Sequence, residues 1–296
     1  MFFLPRGIIP PIVTPFEADG SINYAAYRKM IDFLINNGVH GIFVMGTTGE
    51  YYAIGIAEYR RILEETVNQT AGRVPVYAGA NHITTRGAIE LVKICEGIKV
   101  DAVTVLTPMF ISQTQDELYA YFKTIAENTS LPIIIYNNKP KTNITVEPDT
   151  VARLAELPNI AGIKDSTGDL TNTIEYIRLT RHRSGFHVLM GRDTLIYAGL
   201  CHGASGAVAT CANIAPRLVA DIYDKYMAGD FAAALEAQFE LAPLRMACNM
   251  GTFPSAIKES LSLLGMDAGK CMPPIAELAD NQKEKLRSIL INMKLI

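Results

Sequence analysis

The sequence carries no block of basic residues. Twenty-seven Lys and Arg against 30 Asp and Glu leave a formal net charge of −3, so a nucleic acid would find no electrostatic footprint. Long uncharged runs are missing as well. The stretch poorest in charge, Ala198 to Pro216, still holds His202, Ser205 and Asn213, and its glycine-rich texture suits a strand and its turns better than a membrane span. The N-terminal Met1-Phe2-Phe3-Leu4-Pro5-Arg6 is apolar but has no basic segment ahead of it and is interrupted by proline, which argues against a signal peptide. Cysteine is scarce and scattered: Cys95, Cys201, Cys211, Cys248 and Cys271 form no C-x-x-C pair. An odd number without pairing reads as reduced thiols in a cytoplasmic protein, neither disulfide-stapled nor zinc-binding. The five histidines make no H-E-x-x-H arrangement, so no metal is expected.

What is present is apolar bulk. Over 296 residues, 49% are hydrophobic and only 19% charged, enough to bury a large core as one big domain or as a domain with an extension. Strand-like apolar runs recur along most of the chain: Gly7 to Thr14, Gly41 to Met45, Val74 to Gly79, Ala102 to Thr107, Pro132 to Asn137, Ile160 to Asp165, His187 to Gly191 and Gly206 to Thr210. Between them lie amphipathic helical patterns such as Tyr24 to Asn37, Ala57 to Gln69, Thr84 to Glu96, Gln115 to Asn128, Asp149 to Glu156 and Leu170 to Leu179. Eight βα repeats within about 225 residues predict a closed (β/α)8 TIM barrel, a doubly wound open sheet being the alternative. Past about Ala220 the pattern turns helical only, through Phe231 to Met246, Ser255 to Leu264 and Gln282 to Met293. The expected division is therefore a barrel over residues 1–224 and a helical extension over 225–296.

In such a barrel the βα loops at the C-terminal strand ends carry function. Lys164 closes the run Ile160-Ala161-Gly162-Ile163, a strand buried on both faces, where lysine is rare. A poorly solvated amine loses part of its preference for the charged form and can attack a carbonyl to form a Schiff base; the alternative is a surface lysine just past a strand. After the second strand, Gly46-Thr47-Thr48-Gly49-Glu50 offers hydroxyls and backbone N–H groups that would nest an anion such as a carboxylate, or is merely a turn. Tyr136 ends the fifth strand, one unit before Lys164, and would move protons there or simply fill the core. Gly191-Arg192-Asp193 ends the seventh; Asp193 faces the site or caps the helix that follows.

Together Gly46-Thr47-Thr48-Gly49-Glu50, Tyr136-Asn137, Gly162-Ile163-Lys164-Asp165 and the strand from Gly206 to Asn213 resemble the dihydrodipicolinate synthase and N-acetylneuraminate lyase superfamily of class I aldolases. The likeness runs from Gly7-Ile8 and Val13-Thr14-Pro15-Phe16 to the C-terminal helices. The resemblance implies that Lys164 forms a Schiff base with pyruvate or another 2-oxo acid, that Thr47 and Thr48 hold its carboxylate, that Tyr136 shuttles protons and that Val208 lines the pyruvate pocket. A protonated imine is an electron sink, so an adjacent C–C bond can break or form without metal or organic cofactor. The resemblance also implies a homotetramer, a dimer of dimers, acting on a small 2-oxo acid and an aldehyde. Phe110, with Met109 and Ile111, would suit a subunit contact.

Departures from the family pattern bear on the aldehyde. Dihydrodipicolinate synthases usually place a second tyrosine where Phe110 stands and a carboxylate-binding arginine where Lys141 stands; phenylalanine relays no proton and lysine grips no carboxylate bidentately. Ser166, Gly191, Asp193 and Thr210 look like positions that contact substrate hydroxyls in the sugar-acid lyases. The sequence thus favours a lyase for a hydroxylated 2-oxo acid, with dihydrodipicolinate synthase as the alternative and a dehydratase as a further variant.

Overall fold

The computed structural model describes residues 3–296; Met1 and Phe2 of the N-terminal run lie outside the described residues. Eight parallel strands follow in chain order: β1 (Gly7–Ile8), β2 (Ile42–Val44), β3 (Val76–Gly79), β4 (Ala102–Leu106), β5 (Ile133–Asn137), β6 (Ile160–Asp165), β7 (His187–Met190) and β8 (Gly206–Ala207). From β2 to β8 each pairs with its neighbours in sequence, and β8 pairs back onto β1. Closure between β1 and β2 is made by Ile12 N donating to Phe43 O and Phe43 N donating to Pro10 O, both 2.9 Å. The sheet is a (β/α)8 barrel, and the open doubly wound alternative falls with that closure.

Around it stand α1 (Tyr24–Asn36), α2 (Ile56–Thr70), α3 (Thr85–Ile98), α4 (Gln115–Ala126), α5 (Lys139–Thr142), α6 (Pro148–Leu154), α7 (Leu170–Thr180), α8 (Ile196–Cys201) and α9 (Pro216–Met227). Some helices begin where their sequences cap them: Thr114 and Glu117 form a reciprocal capping box on α4, and Asp169 accepts from Asn172 N at the start of α7. Then come α10 (Phe231–Ala247), α11 (Ser255–Leu263) and α12 (Asp280–Asn292). No helix among the described residues is long and apolar enough to cross a membrane.

Interior strands sit within one or two residues of the sequence expectation, whereas the first and last are much shorter. Pro10 and Pro11 bring no N–H to a ladder, so the run from Gly7 to Thr14 pairs regularly only at its start. At the other end the chain winds into a 3-10 turn over Thr210–Asn213, ending β8 at Ala207. The short helix α5 was not among the expected patterns, and α9 begins at Pro216, ahead of the helical pattern read from about Ala220; the glycine-rich run read as strand and turn holds the last residues of α8 and stops at Pro216, which opens α9 at the position proline favours. Helix α9 continues to Met227, and Gly229, with φ +83°, makes the turn into α10.

A cluster of eight buried side chains, one from each strand or its end, lies in the barrel interior: Ile9, Phe43, Tyr77, Ala102, Ile134, Ala161, Leu189 and Val208. A larger core fills the space between sheet and helices. Burial of this kind stabilises by about 25 cal/mol per Å2 of apolar surface. Gly162 lets β6 approach β7 closely, because a Cβ there would lie 2.2 Å from His187 O.

Candidate active site

Strand alternation decides which side chains of β6 meet the interior. Lys164 points into the barrel and is 4% exposed. Its neighbour Asp165 turns outward, accepting hydrogen bonds from Thr173 Oγ1 at 2.6 Å and Asn137 Nδ2 at 3.1 Å. Lys164 Nζ stands 3.8 Å from the centroid of the Tyr136 ring and 4.9 Å from that of Phe43. Burial lowers the lysine pKa from its ordinary value, partly offset by the charges of Tyr136 and Asp193. The amine is thereby biased toward its nucleophilic, neutral form.

Tyr136 is also buried, which by itself raises a phenol's pKa; the Lys164 charge and hydrogen bonds with Thr47 and Asn138 outweigh it, and the net direction is downward. Its hydroxyl lies 3.3 Å from Thr47 Oγ1 and accepts from Asn138 Nδ2 at 2.9 Å. An amine and a phenol have similar ordinary pKa values, and with both lowered here the pair can exchange a proton at little cost.

Thr47 and Thr48 reach this place because the chain after β2 turns sharply. Gly49 N donates to Gly46 O at 3.1 Å, and Thr14 Oγ1 donates to Gly49 O at 2.7 Å. At Gly46 a Cβ would lie 2.8 Å from the Phe43 ring. Glu50 ends the turn at φ +53° and pairs, fully buried, with Lys258 Nζ of α11 at 2.7 Å. The same Lys258 Nζ donates to Lys270 O, and Glu50 Oε2 accepts from Met272 N at 2.8 Å. This motif is tied to the C-terminal helices by a charged pair that local sequence did not reveal.

A cavity of about 220 Å3 opens over these groups. Of the residues singled out from sequence, Lys164, Tyr136, Thr47, Thr48, Val208, Ser166, Gly191, Asp193, Lys141 and Thr210 line it. Gly46 does not. Asp193 caps no helix of its own. Its Oδ1 accepts from Cys211 N at 2.7 Å, Oδ2 lies 3.5 Å from Arg245 Nε, and its backbone carbonyl accepts from Gln238 Nε2 at 2.9 Å. Phe110, in contrast, is 91% exposed at φ +80° on the loop after β4 and is not in the cavity wall of its own chain.

Sequence reasoning missed one wall of this chamber. Arg245, Asn249 and Phe253 come from the end of α10 and the segment after it, while Asn138, Pro140 and Arg192 complete the rim. The i, i+4 spacing of Arg245 and Asn249 was the available signal, but which helix face meets the barrel mouth is a tertiary fact. A larger cavity, about 600 Å3, lies beside Tyr24 and Arg61 and contains none of the amine, phenol or threonine groups described above.

The family model of the dihydrodipicolinate synthetase family matches residues 4–293. A 4-hydroxy-tetrahydrodipicolinate synthase of Methanopyrus kandleri is 37% identical over 298 residues, covering 100% of this chain and 99% of that one. Among solved structures, dihydrodipicolinate synthase from Thermotoga maritima superposes with a TM-score of 0.97 at 31% identity, covering 99% of this chain and 100% of that chain. YagE, a prophage protein of the dihydrodipicolinic acid synthase family from E. coli K12 in complex with pyruvate, gives 0.95 at 29% identity with the same coverage. With the match spanning barrel and appended helices alike, the chain belongs to the dihydrodipicolinate synthetase family and is a Schiff-base lyase of the aldolase type.

Proposed function

We propose that the protein condenses pyruvate with aspartate semialdehyde, as a 4-hydroxy-tetrahydrodipicolinate synthase. The name its relatives share supports this substrate pair, and it reverses the order suggested by Phe110, Lys141, Ser166 and Asp193 together. In this reading the neutral Lys164 amine attacks C2 of pyruvate, whose carboxylate rests on Thr47 and Thr48. Water leaves as the imine forms, with Tyr136 supplying the proton. Loss of a proton from C3 gives the enamine, whose carbon attacks the aldehyde; the amino group of the semialdehyde then adds to the new imine carbon and displaces the Lys164 amine, which closes the ring and frees the lysine. The observation that carries the reading is the buried amine 3.8 Å from the Tyr136 ring centroid at the base of the cavity.

The second reading, cleavage of a hydroxylated 2-oxo acid, keeps one specific support. Lys141 lines the cavity where an arginine is usual, and Ser166 and Thr210 offer hydroxyls to it. Borohydride with pyruvate is expected to add one reduced pyruvyl group to the intact protein and none to Lys164→Ala. Consumption of pyruvate with aspartate semialdehyde, set against pyruvate release from a panel of hydroxylated 2-oxo acids, then decides between the readings; release without condensation overturns the synthase.

The assembly belongs to the same proposal. A homotetramer built from dimers is supported by Phe110 and Ile111, 91% and 64% exposed on one loop, an apolar pair that a subunit contact would cover. Sedimentation at micromolar protein tests it, a monomer being the contrary result.

A further inference from the structure

The cavity has two halves of different electrical character. Its inner half is furnished with neutral donors, the hydroxyls of Thr47 and Thr48, around Lys164 and Tyr136. Three cations, Lys141, Arg192 and Arg245, face the outer half against the single carboxylate of Asp193. The outer half is therefore net positive within a partly dehydrated space, and such a space favours an anion. The three cations are not equivalent. Lys141 is a flexible ammonium whose Nζ lies 5.8 Å from the Phe253 ring centroid. Arg192 spends its Nε on Ser166 O at 3.1 Å.

Arg245 is held differently. Its side chain is 14% exposed, its Nε faces Asp193 Oδ2 at 3.5 Å and its Nη1 donates to Asn249 Oδ1 at 3.0 Å. Asp193 is itself fixed by the Cys211 and Gln238 hydrogen bonds. The guanidinium plane is thus braced on two sides, and among the described residues its Nη2 donates no hydrogen bond. A braced planar fork with an open edge is suited to a carboxylate.

We propose that Arg245, carried by α10 and braced by Asp193 and Asn249, anchors a carboxylate on the aldehyde substrate and so sets acceptor specificity. The assignment rests on the Schiff-base reading above and extends it to the acceptor class: aldehydes that bear a carboxylate are preferred over neutral hydroxyaldehydes.

The test measures kcat/KM with pyruvate and each of three aldehydes: aspartate semialdehyde and glyoxylate, which carry a carboxylate, and D-glyceraldehyde, which does not. The wild type is expected to favour the first two. Arg245→Gln should lower kcat/KM on both by about ten- to a hundredfold, the worth of one charge-assisted hydrogen-bonded contact, mostly through KM. Its effect on D-glyceraldehyde should be several times smaller, and Arg245→Lys, restoring charge without the fork, should fall between. Borohydride trapping of pyruvate, which needs no acceptor, reports that each variant is folded and competent to form the imine. Equal losses on all three aldehydes, no loss on any, or a wild type that prefers D-glyceraldehyde or uses none of the three, would overturn the Arg245 assignment while trapping stands. A wild type that traps no pyruvate defeats the Schiff-base reading itself, and this assignment with it.

Discussion

Tyr136 and Lys164 are direct partners in the pairing of β5 and β6. Their side chains leave adjacent strands on the same face, which brings Nζ to 3.8 Å from the ring centroid without any loop having to order. Geometry of this kind is set by sheet register, the least deformable part of the fold.

Imine formation should therefore rise with pH through an apparent pKa below the usual lysine value of about 10.4, because burial disfavours the ammonium and only the neutral amine attacks. Tyr136→Phe removes a charge that holds the Lys164 pKa up, so the profile should move to still lower pH. The same variant should lose turnover by about 10²–10⁴-fold, the range for a lost general acid–base group. Initial rates of borohydride trapping and of condensation across pH separate the two effects; an unshifted trapping profile would contradict the coupling.

Asp193→Ala should cost about 1–3 kcal/mol of stability, since it strands the buried Cys211 N–H. Asp193→Asn keeps an oxygen for that N–H and should cost less, while loosening Arg245. Urea unfolding of the two variants measures the difference. With both carboxylate oxygens already engaged, any effect on acceptor use is expected to come through Arg245 and not through a lost bond to a substrate hydroxyl.

Lys258→Met should be among the most damaging substitutions away from the cavity. It leaves Glu50 buried without its counter-ion, a defect worth about 3–5 kcal/mol. Adding Glu50→Gln should recover part of that loss, because the uncompensated charge is gone. Equal urea midpoints for single and double variants would show that the pair is not coupled.

Phe110→Asp should shift the sedimentation profile to smaller species if this loop is covered in the assembly, while the thermal midpoint of the isolated protomer changes little, given that the side chain is 91% exposed in one chain. An unchanged profile places the subunit contact elsewhere.

Much of the barrel was legible because its signal is local: β-branched runs such as Ile133-Ile134-Ile135 bounded by turn residues announce buried parallel strands. Lys164 stood out because a lysine in that context costs desolvation. Motif resemblance extended this to Tyr136 and the threonine turn. Arg245 and Glu50–Lys258 escaped for the opposite reason. Each depends on where the C-terminal helices dock, and neither Arg245 nor Lys258 sits in a segment whose sequence says what it faces. Phe110 was noticed, but its left-handed φ of +80° could not be read from an apolar tripeptide, for which that conformation is uncommon.

The eight-residue cluster beneath the site also imposes a timetable. Val208 belongs both to that cluster and to the cavity wall, and Phe43 of the same cluster lies against Lys164, so among the described residues the chamber is closed below and the amine is reached through the mouth. An aldehyde seated first would bar the way to Lys164. On the proposed reading pyruvate would enter before it, and aldehyde in excess should act as a competitor of pyruvate, visible as inhibition that added pyruvate relieves.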